Sequence, residues 1–245
     1  MTDAVAPAGA VRALWVYLGA SPLLWLLLTV GVYAVALRLQ RALQGSPWAN
    51  PVLLSVATLV AVLAATGTPY ATYFDGAQFV HFLLGTATVA LAVPLRRQWA
   101  EVKAALAPAA ITLIAGNVAG ALVAMGIVRL WGAPRELIAS IAPRGVTAPV
   151  AMAVAERVGG LPSLTAVLVI ASGILGATMA TPLLNVLHVR DWAARGLAVG
   201  MAAHGIGTAR AFQVHPVAGT FAGVAMAVST LLTSALVPWL VPLFT

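Results

Sequence analysis

Residues 162–187 read PSLTAVLVIASGILGATMATPLLNVL, a stretch without a single charge. About 20 such residues in a helix cross the hydrocarbon core of a bilayer, roughly 30 Å thick. A charge at mid-bilayer costs about 2.5 to 3.5 kcal/mol on insertion scales, so long uncharged gaps mark spans. Gly159-Gly160-Leu161-Pro162-Ser163 in front of the run supply a turn and an N-terminal cap, with Pro162 and Gly160 as helix-breaking residues.

The rest of the chain agrees with that reading. Of its 245 residues 62% are hydrophobic and 8% charged, against roughly 45 to 50% and 25% in a soluble domain. A soluble fold and a disordered chain are both excluded, and a helical membrane protein with room for seven or eight hydrophobic segments is expected. The excess of 13 Lys and Arg over 6 Asp and Glu, a net +7, then orients loops in the bilayer instead of binding nucleic acid. With no cysteine there is no disulfide framework, thiolate nucleophile or cysteine-ligated metal. The first twenty residues lack the clustered positive start of a signal peptide, so no cleaved leader is expected.

Charge gaps and turn residues place the other spans. One helix is expected at 22–38, ended by Arg38 and Arg41; a second is bracketed by Asn50-Pro51 and Gly67-Thr68-Pro69; a third runs from Gly76 to Leu95. A fourth, Ala104 to Val128, is interrupted by Pro108 and carries Gly116 and Gly120 at small-xxx-small spacing. Between Leu137 and Ala155, Arg144 sits between Pro143 and Pro149, which no regular helix accommodates. Residues 196–209, bounded by Arg195 and Arg210, hold Gly196, Gly200, Gly205 and Gly207, too short and glycine-rich for a simple span. Pro216 to Phe244 suffices for one tilted helix, with Trp239 near an interface. Positive-inside counting puts Arg38, Arg41, Arg96, Arg97 and Lys103 on the cytoplasmic side and the N-terminus outside; Arg129, Arg135, Arg190 and Arg195 conflict unless one segment is re-entrant.

The two halves share a pattern. Gly85-Thr86-Ala87 precedes Pro94 as Gly207-Thr208-Ala209, 122 positions later, precedes Pro216, and His81 and His204 lie just upstream. Paired interrupted segments of this kind point to transporter halves. The expected organisation is an N-terminal tail, 1–20, and a single integral membrane domain, 21–245, with two inverted repeats at about 45–131 and 158–245.

Arg144 and Arg210 are the residues whose chemistry stands out. Each lies where a helix is expected to break, among Pro143, Gly145 and Pro149 or after Gly205 and Gly207, as Gly85 and Asn50 mark breaks in the first half. Unwound backbone at a half-helix start favours an anion, and a guanidinium adds a bidentate donor. The alternative is that each Arg snorkels, or pairs with Glu136, Glu156 or Asp191. His204 suits a proton carrier as well as it suits a neutral, hydrogen-bonded ring. Thr86, Thr88, Thr147, Ser163 and Thr208 are candidate contacts to a hydroxylated substrate, although such side chains commonly satisfy their own backbone. There is no nucleophile–base pair, phosphate loop, dinucleotide fingerprint or metal cluster in the sequence, so neither an enzyme nor a cofactor is expected.

Pro143-Arg144-Gly145-Val146-Thr147-Ala148-Pro149, Gly159-Gly160-Leu161-Pro162-Ser163-Leu164-Thr165-Ala166, and Ala194-Arg195-Gly196-Leu197-Ala198 leading to His204-Gly205-Ile206-Gly207-Thr208-Ala209-Arg210 resemble the LrgB/CidB family in order and spacing. The likeness runs from about Trp25 to the C-terminus, and includes Asn50-Pro51 and the stretch from Ala87 to Pro94. It implies a multi-pass protein of the bacterial cytoplasmic membrane, with a small LrgA/CidA-like membrane partner. The family's described role is holin- or antiholin-like modulation of murein hydrolase export and autolysis. It also implies kinship with the plastidic glycolate/glycerate translocator and with carriers of pyruvate-like carboxylates. Departures exist: the first motif is usually closer to Pro-Lys-Ser-Val-Thr-Thr-Pro, proline is usual at Thr86, and serine is common at Ala203. Gly145, Ala148 and Ala203 thus lack hydroxyls, which puts glycolate or glycerate in doubt as the substrate. The expected function is alternating-access transport of a small monocarboxylate, with the segments around 85–94, 143–149 and 204–210 meeting near the midplane. Lysis regulation and a channel are the alternatives, and homodimerisation and the lipid bilayer complete the expected partners.

Overall fold

The computed structural model of the protein describes residues 19, 21–46 and 49–244. Arg12 and the leader question therefore lie outside the described residues. Every regular element among those described is helical. Contacts divide the chain into two compact units, Met1–Ala90 and Leu91–Thr245.

The first unit holds α1 (Pro22–Ala42), α2 (Pro51–Thr66) and α3 (Tyr70–Ala90). Asn50 starts α2 as expected, its Oδ1 accepting from the N–H groups of Val52 at 2.9 Å and Leu53 at 3.3 Å. Gly67 ends the helix in the left-handed conformation, φ 63°. Trp25 of α1 is fully buried; its indole N–H donates to Gly19 O at 2.8 Å and its ring meets Tyr73 edge-on at 5.9 Å. Two expectations are corrected here. α1 does not end at Arg38 but continues through Arg41, because long charged side chains at a helix end extend toward water without breaking the backbone. Gly85 lies inside the unbroken α3, and the interruption falls at Leu91, nearer to Pro94.

The second unit starts with the short α4 (Ala92–Arg97) and α5 (Trp99–Ala104), which carry Arg96, Arg97 and Lys103. α6 (Leu106–Leu130) follows. Pro108 does not interrupt it, because it sits in the first turn, where a missing N–H deprives the helix of nothing. Next come α7 (Arg135–Ile141) and α8 (Ala148–Arg157), then α9 (Pro162–Val186), α10 (Trp192–Val214) and α11 (Pro216–Leu240), closed by a 3₁₀ turn at Val241–Leu243. At about 1.5 Å per residue, α7 and α8 are roughly 10 and 15 Å long, and neither crosses the bilayer alone. The discontinuity expected around Arg144 is thus present. α10 extends beyond both expected boundaries, Arg195 and Arg210, whose guanidinium groups find partners at Asn185 and Gln213 and so do not terminate it. It is nevertheless broken in the middle, at His204, with φ 39° and ψ −132°.

Four of the described helices are long and apolar enough to cross a membrane: α1, α6, α9 and α11 with its terminal turn. The protein is an all-α, multi-pass membrane protein. In the second unit, small residues set the closest packing. Gly196 and Gly200 of α10 lie against Ala218 and Ala222 of α11, so that a Cβ added at Gly200 would stand 2.1 Å from the Ala222 carbonyl oxygen. In a bilayer, where burial of apolar surface does not drive helices together, such approaches allow the dispersion contacts that do. The obstacle is backbone, which cannot rotate away. Gly200→Val is therefore expected to separate α10 from α11 and to destabilise the protein by about 1–3 kcal/mol or more, read as a lower midpoint of thermal unfolding in detergent. A surface change such as Val186→Ala should leave the midpoint unmoved.

Candidate functional site

The two breaks in the second unit are both supported by one face of α9. Between α7 and α8 the chain leaves the helix from Ala142 to Thr147, and the Ser172 hydroxyl donates to the freed carbonyl of Arg144 at 3.0 Å. One turn away, the carbonyl of Val169 meets Nε2 of His204 at 3.0 Å. A carbonyl can only accept, so Nε2 carries the hydrogen. Gly173 lies beneath the ring, and a Cβ there would come within 2.6 Å of His204 Cε1. Left-handed backbone at a non-glycine residue costs of order 1–3 kcal/mol and persists where its surroundings over-determine it. Here the buried ring, held by Val169 and fitted over Gly173, does so. The strain sits on His204; neither Gly205 nor Gly207 has positive φ.

Ser140, the penultimate residue of α7, is a third support that the sequence does not reveal. It is fully buried. Its hydroxyl donates to Glu136 O at 2.6 Å and accepts from the N–H of Leu161 at 2.8 Å, while its own carbonyl accepts from Thr165 Oγ1 at 3.1 Å. Gly160 passes so close that a Cβ would lie 2.8 Å from Ser140 N. The cap at the start of α9 is therefore given by Ser140 from another helix. Ser163, expected there, is exposed.

A cavity of about 240 Å³ opens beside the first break, between α6, the 142–147 link, α10 and α11. Arg144, Gly145, Asn117, Gly120, Met201 and Thr233 line it, together with apolar residues and no Asp or Glu. The Arg144 guanidinium is half-buried and donates to the Gly120 carbonyl at 3.2 Å. Glu136, Glu156 and Asp191 do not line the cavity; Asp191 instead caps α10, accepting from Ala194 N at 2.7 Å. Gly116 and Gly145 leave room for Met201, which both approach closely.

The remaining candidates are placed elsewhere. Thr147 precedes α8 without a side-chain capping bond and does not line the cavity. Thr208 is buried and donates to His204 O at 2.8 Å, satisfying its own helix across the kink. Arg210 bonds Gln213 Oε1 at 3.2 Å and lines a much smaller groove of about 20 Å³, shared with Arg195 and Trp192. The two breaks adjoin, as Gly145 against Met201 shows, but their arginines face different spaces. In the first unit, Thr86 is exposed and donates to Leu83 O at 2.8 Å; the side chain of Thr88 lies outside the described residues. Asn117 and Thr233 are the lining residues that motif reading missed. A polar residue inside each of two apolar stretches was the available signal.

Comparison with known proteins places this architecture. The LrgB-like family model matches residues 29–243. The chain belongs to the LrgB-like family. Among its relatives, Holin-like protein CidB of Staphylococcus epidermidis is 28% identical over 90% of this chain and 96% of its own length. CidB of Staphylococcus aureus is 29% identical over 91% and 96%, and YwbG of Bacillus subtilis is 33% identical over 88% and 95%. No solved structure matches. With these bacterial relatives and its apolar helices, this LrgB-like protein is a multi-pass protein of the bacterial cytoplasmic membrane.

Two changes test the supports. Ser140→Ala would leave the Leu161 N–H without its partner, and a loss of about 1–3 kcal/mol is expected in equilibrium unfolding. His204→Gly should retain about 1 kcal/mol more stability than His204→Ala, since both lose the Val169 bond and only glycine relieves the strained backbone; equal midpoints for the two variants would show that the kink carries no strain.

Proposed function

We propose that this LrgB-like protein has a holin-like role, acting with a small LrgA/CidA-like membrane partner in the control of murein hydrolase export and autolysis. The name that its staphylococcal relatives carry supports this reading of its physiology. For the molecular activity beneath that role, the geometry favours passage of a small monocarboxylate. The observation that carries it is Arg144. A guanidinium held inside a membrane protein, in a cavity with no acidic side chain, calls for an anion, and its planar fork matches a carboxylate. The site stands at a helix interruption beside a second one, where transporters of repeated architecture bind their cargo. Movement of one packed element past another would open it alternately to the two sides, by analogy with those carriers.

Uptake of radiolabelled glycolate, glycerate and pyruvate into proteoliposomes, with and without a pH gradient, separates the readings. A carrier shows saturable uptake that Arg144→Ala lowers at least tenfold and Arg144→Lys partly keeps. A regulator that works only through its partner shows no uptake alone, yet changes autolysis when the two are expressed together. Unsaturable flux with single-channel currents would replace the carrier by a channel.

A further inference from the structure

Asn117 on α6 and Thr233 on α11 line the same cavity as Arg144, and their hydrogen bonds leave a defined chemistry facing it. Asn117 Nδ2 donates to Leu113 O at 2.7 Å and to Ser229 Oγ at 2.9 Å. Because the Leu113 carbonyl can only accept, the amide orientation is fixed, and both of its hydrogens are used. The Thr233 hydroxyl hydrogen is used too, donated to Asn117 Oδ1 at 3.3 Å. What remains on this wall is acceptor capacity: a lone pair on Asn117 Oδ1 and those on Thr233 Oγ1. Arg144 is the opposite, with five N–H donors and no acceptor.

We infer that Asn117 and Thr233 are specificity-determining residues that accept a hydrogen bond from the hydroxyl of a small hydroxy acid whose carboxylate Arg144 holds. This rests on the reading of the Arg144 cavity as a carboxylate site and names the subclass it takes. A 2-oxo acid offers only an acceptor at the corresponding place, where the wall has no donor left. A plain short-chain acid offers nothing there. Gly145, which brings no hydroxyl of its own to the cavity, leaves this recognition to the α6–α11 wall.

The test is equilibrium binding to the full chain in nanodiscs, with glycolate, acetate and pyruvate as probes. The wild type should bind glycolate about tenfold more tightly than acetate or pyruvate, the range of one net hydrogen bond. Thr233→Val and the near-isosteric Asn117→Leu should weaken glycolate to the level of acetate while leaving acetate within about twofold, and Thr233→Ser should restore the preference. Asn117 also ties α6 to α11, so Thr233→Val carries the test if Asn117→Leu does not fold. Equal losses for all three acids would reduce the pair to interhelical packing and overturn the inference. Pyruvate bound as tightly as glycolate by the wild type would overturn it as well. If no acid binds the wild type, or binding is untouched by Arg144→Ala, the carboxylate reading itself fails, an outcome distinct from a lost preference.

Discussion

Backbone that leaves the helix inside a bilayer has no water to satisfy its polar groups, so protein must do so. In the second unit of this molecule that demand falls on one face of α9. Thr165, Val169, Ser172, Gly173 and Gly176 recur at helical spacing along it. Thr165 reaches the carbonyl of Ser140, Ser172 that of Arg144, and Val169 offers its own carbonyl to His204. Gly173 and Gly176 are bare where the His204 ring and Ala203 press in. The two interruptions exist because this helix absorbs their unmet bonds and leaves space for their side chains.

The same constraint explains where charge is tolerated. Arg144 enters the protein on non-helical backbone whose carbonyl is already satisfied, and its guanidinium finds the Gly120 carbonyl and a cavity. Arg195 shows the contrasting solution: it lies over the Trp192 ring at 5.0 Å and donates to Asn185 Oδ1 at 2.8 Å, so its charge is spent on local structure. Two arginines of one unit thus do different things, and the difference lies in whether neighbouring groups already saturate the fork. In the same cavity the hydrogen-bonded set Asn117, Ser229 and Thr233 joins α6 to α11 while Asn117 and Thr233 present acceptors. The side chains that pack the two helices together there are the ones to which recognition is assigned above.

How much of this could be read from the chain differs from element to element. The α2 boundaries at Asn50 and Gly67 are legible because capping is local chemistry, settled within a few residues. The break at Arg144 is legible because two prolines and a charge exclude a regular helix. The extent of α10 is not, since Arg195 and Arg210 read as ends until tertiary partners for their guanidinium groups are seen. Nor is the location of its kink: glycine is the residue expected to bend, whereas the strained residue is His204, whose conformation is imposed by contacts 31 to 35 positions away in the chain. Pro108 misled for the opposite reason, because its effect depends on its position in the first turn.

The amino-acid sequence established an all-helical membrane protein of the LrgB-like family, an interruption near Arg144, a glycine-rich discontinuity somewhere between Arg195 and Arg210, and Arg144 as a charge in need of an explanation. Those conclusions follow from hydrophobic length, charge cost and proline geometry, all of which act locally. Which candidates share a space follows from helix packing alone. It set Arg144 in one cavity with Asn117 and Thr233, turned Arg210 to another groove, and gave Thr208 to its own backbone. Such assignments depend on how helices rotate and approach, which the small faces of α9, α10 and α11 settle through contacts between residues distant in sequence.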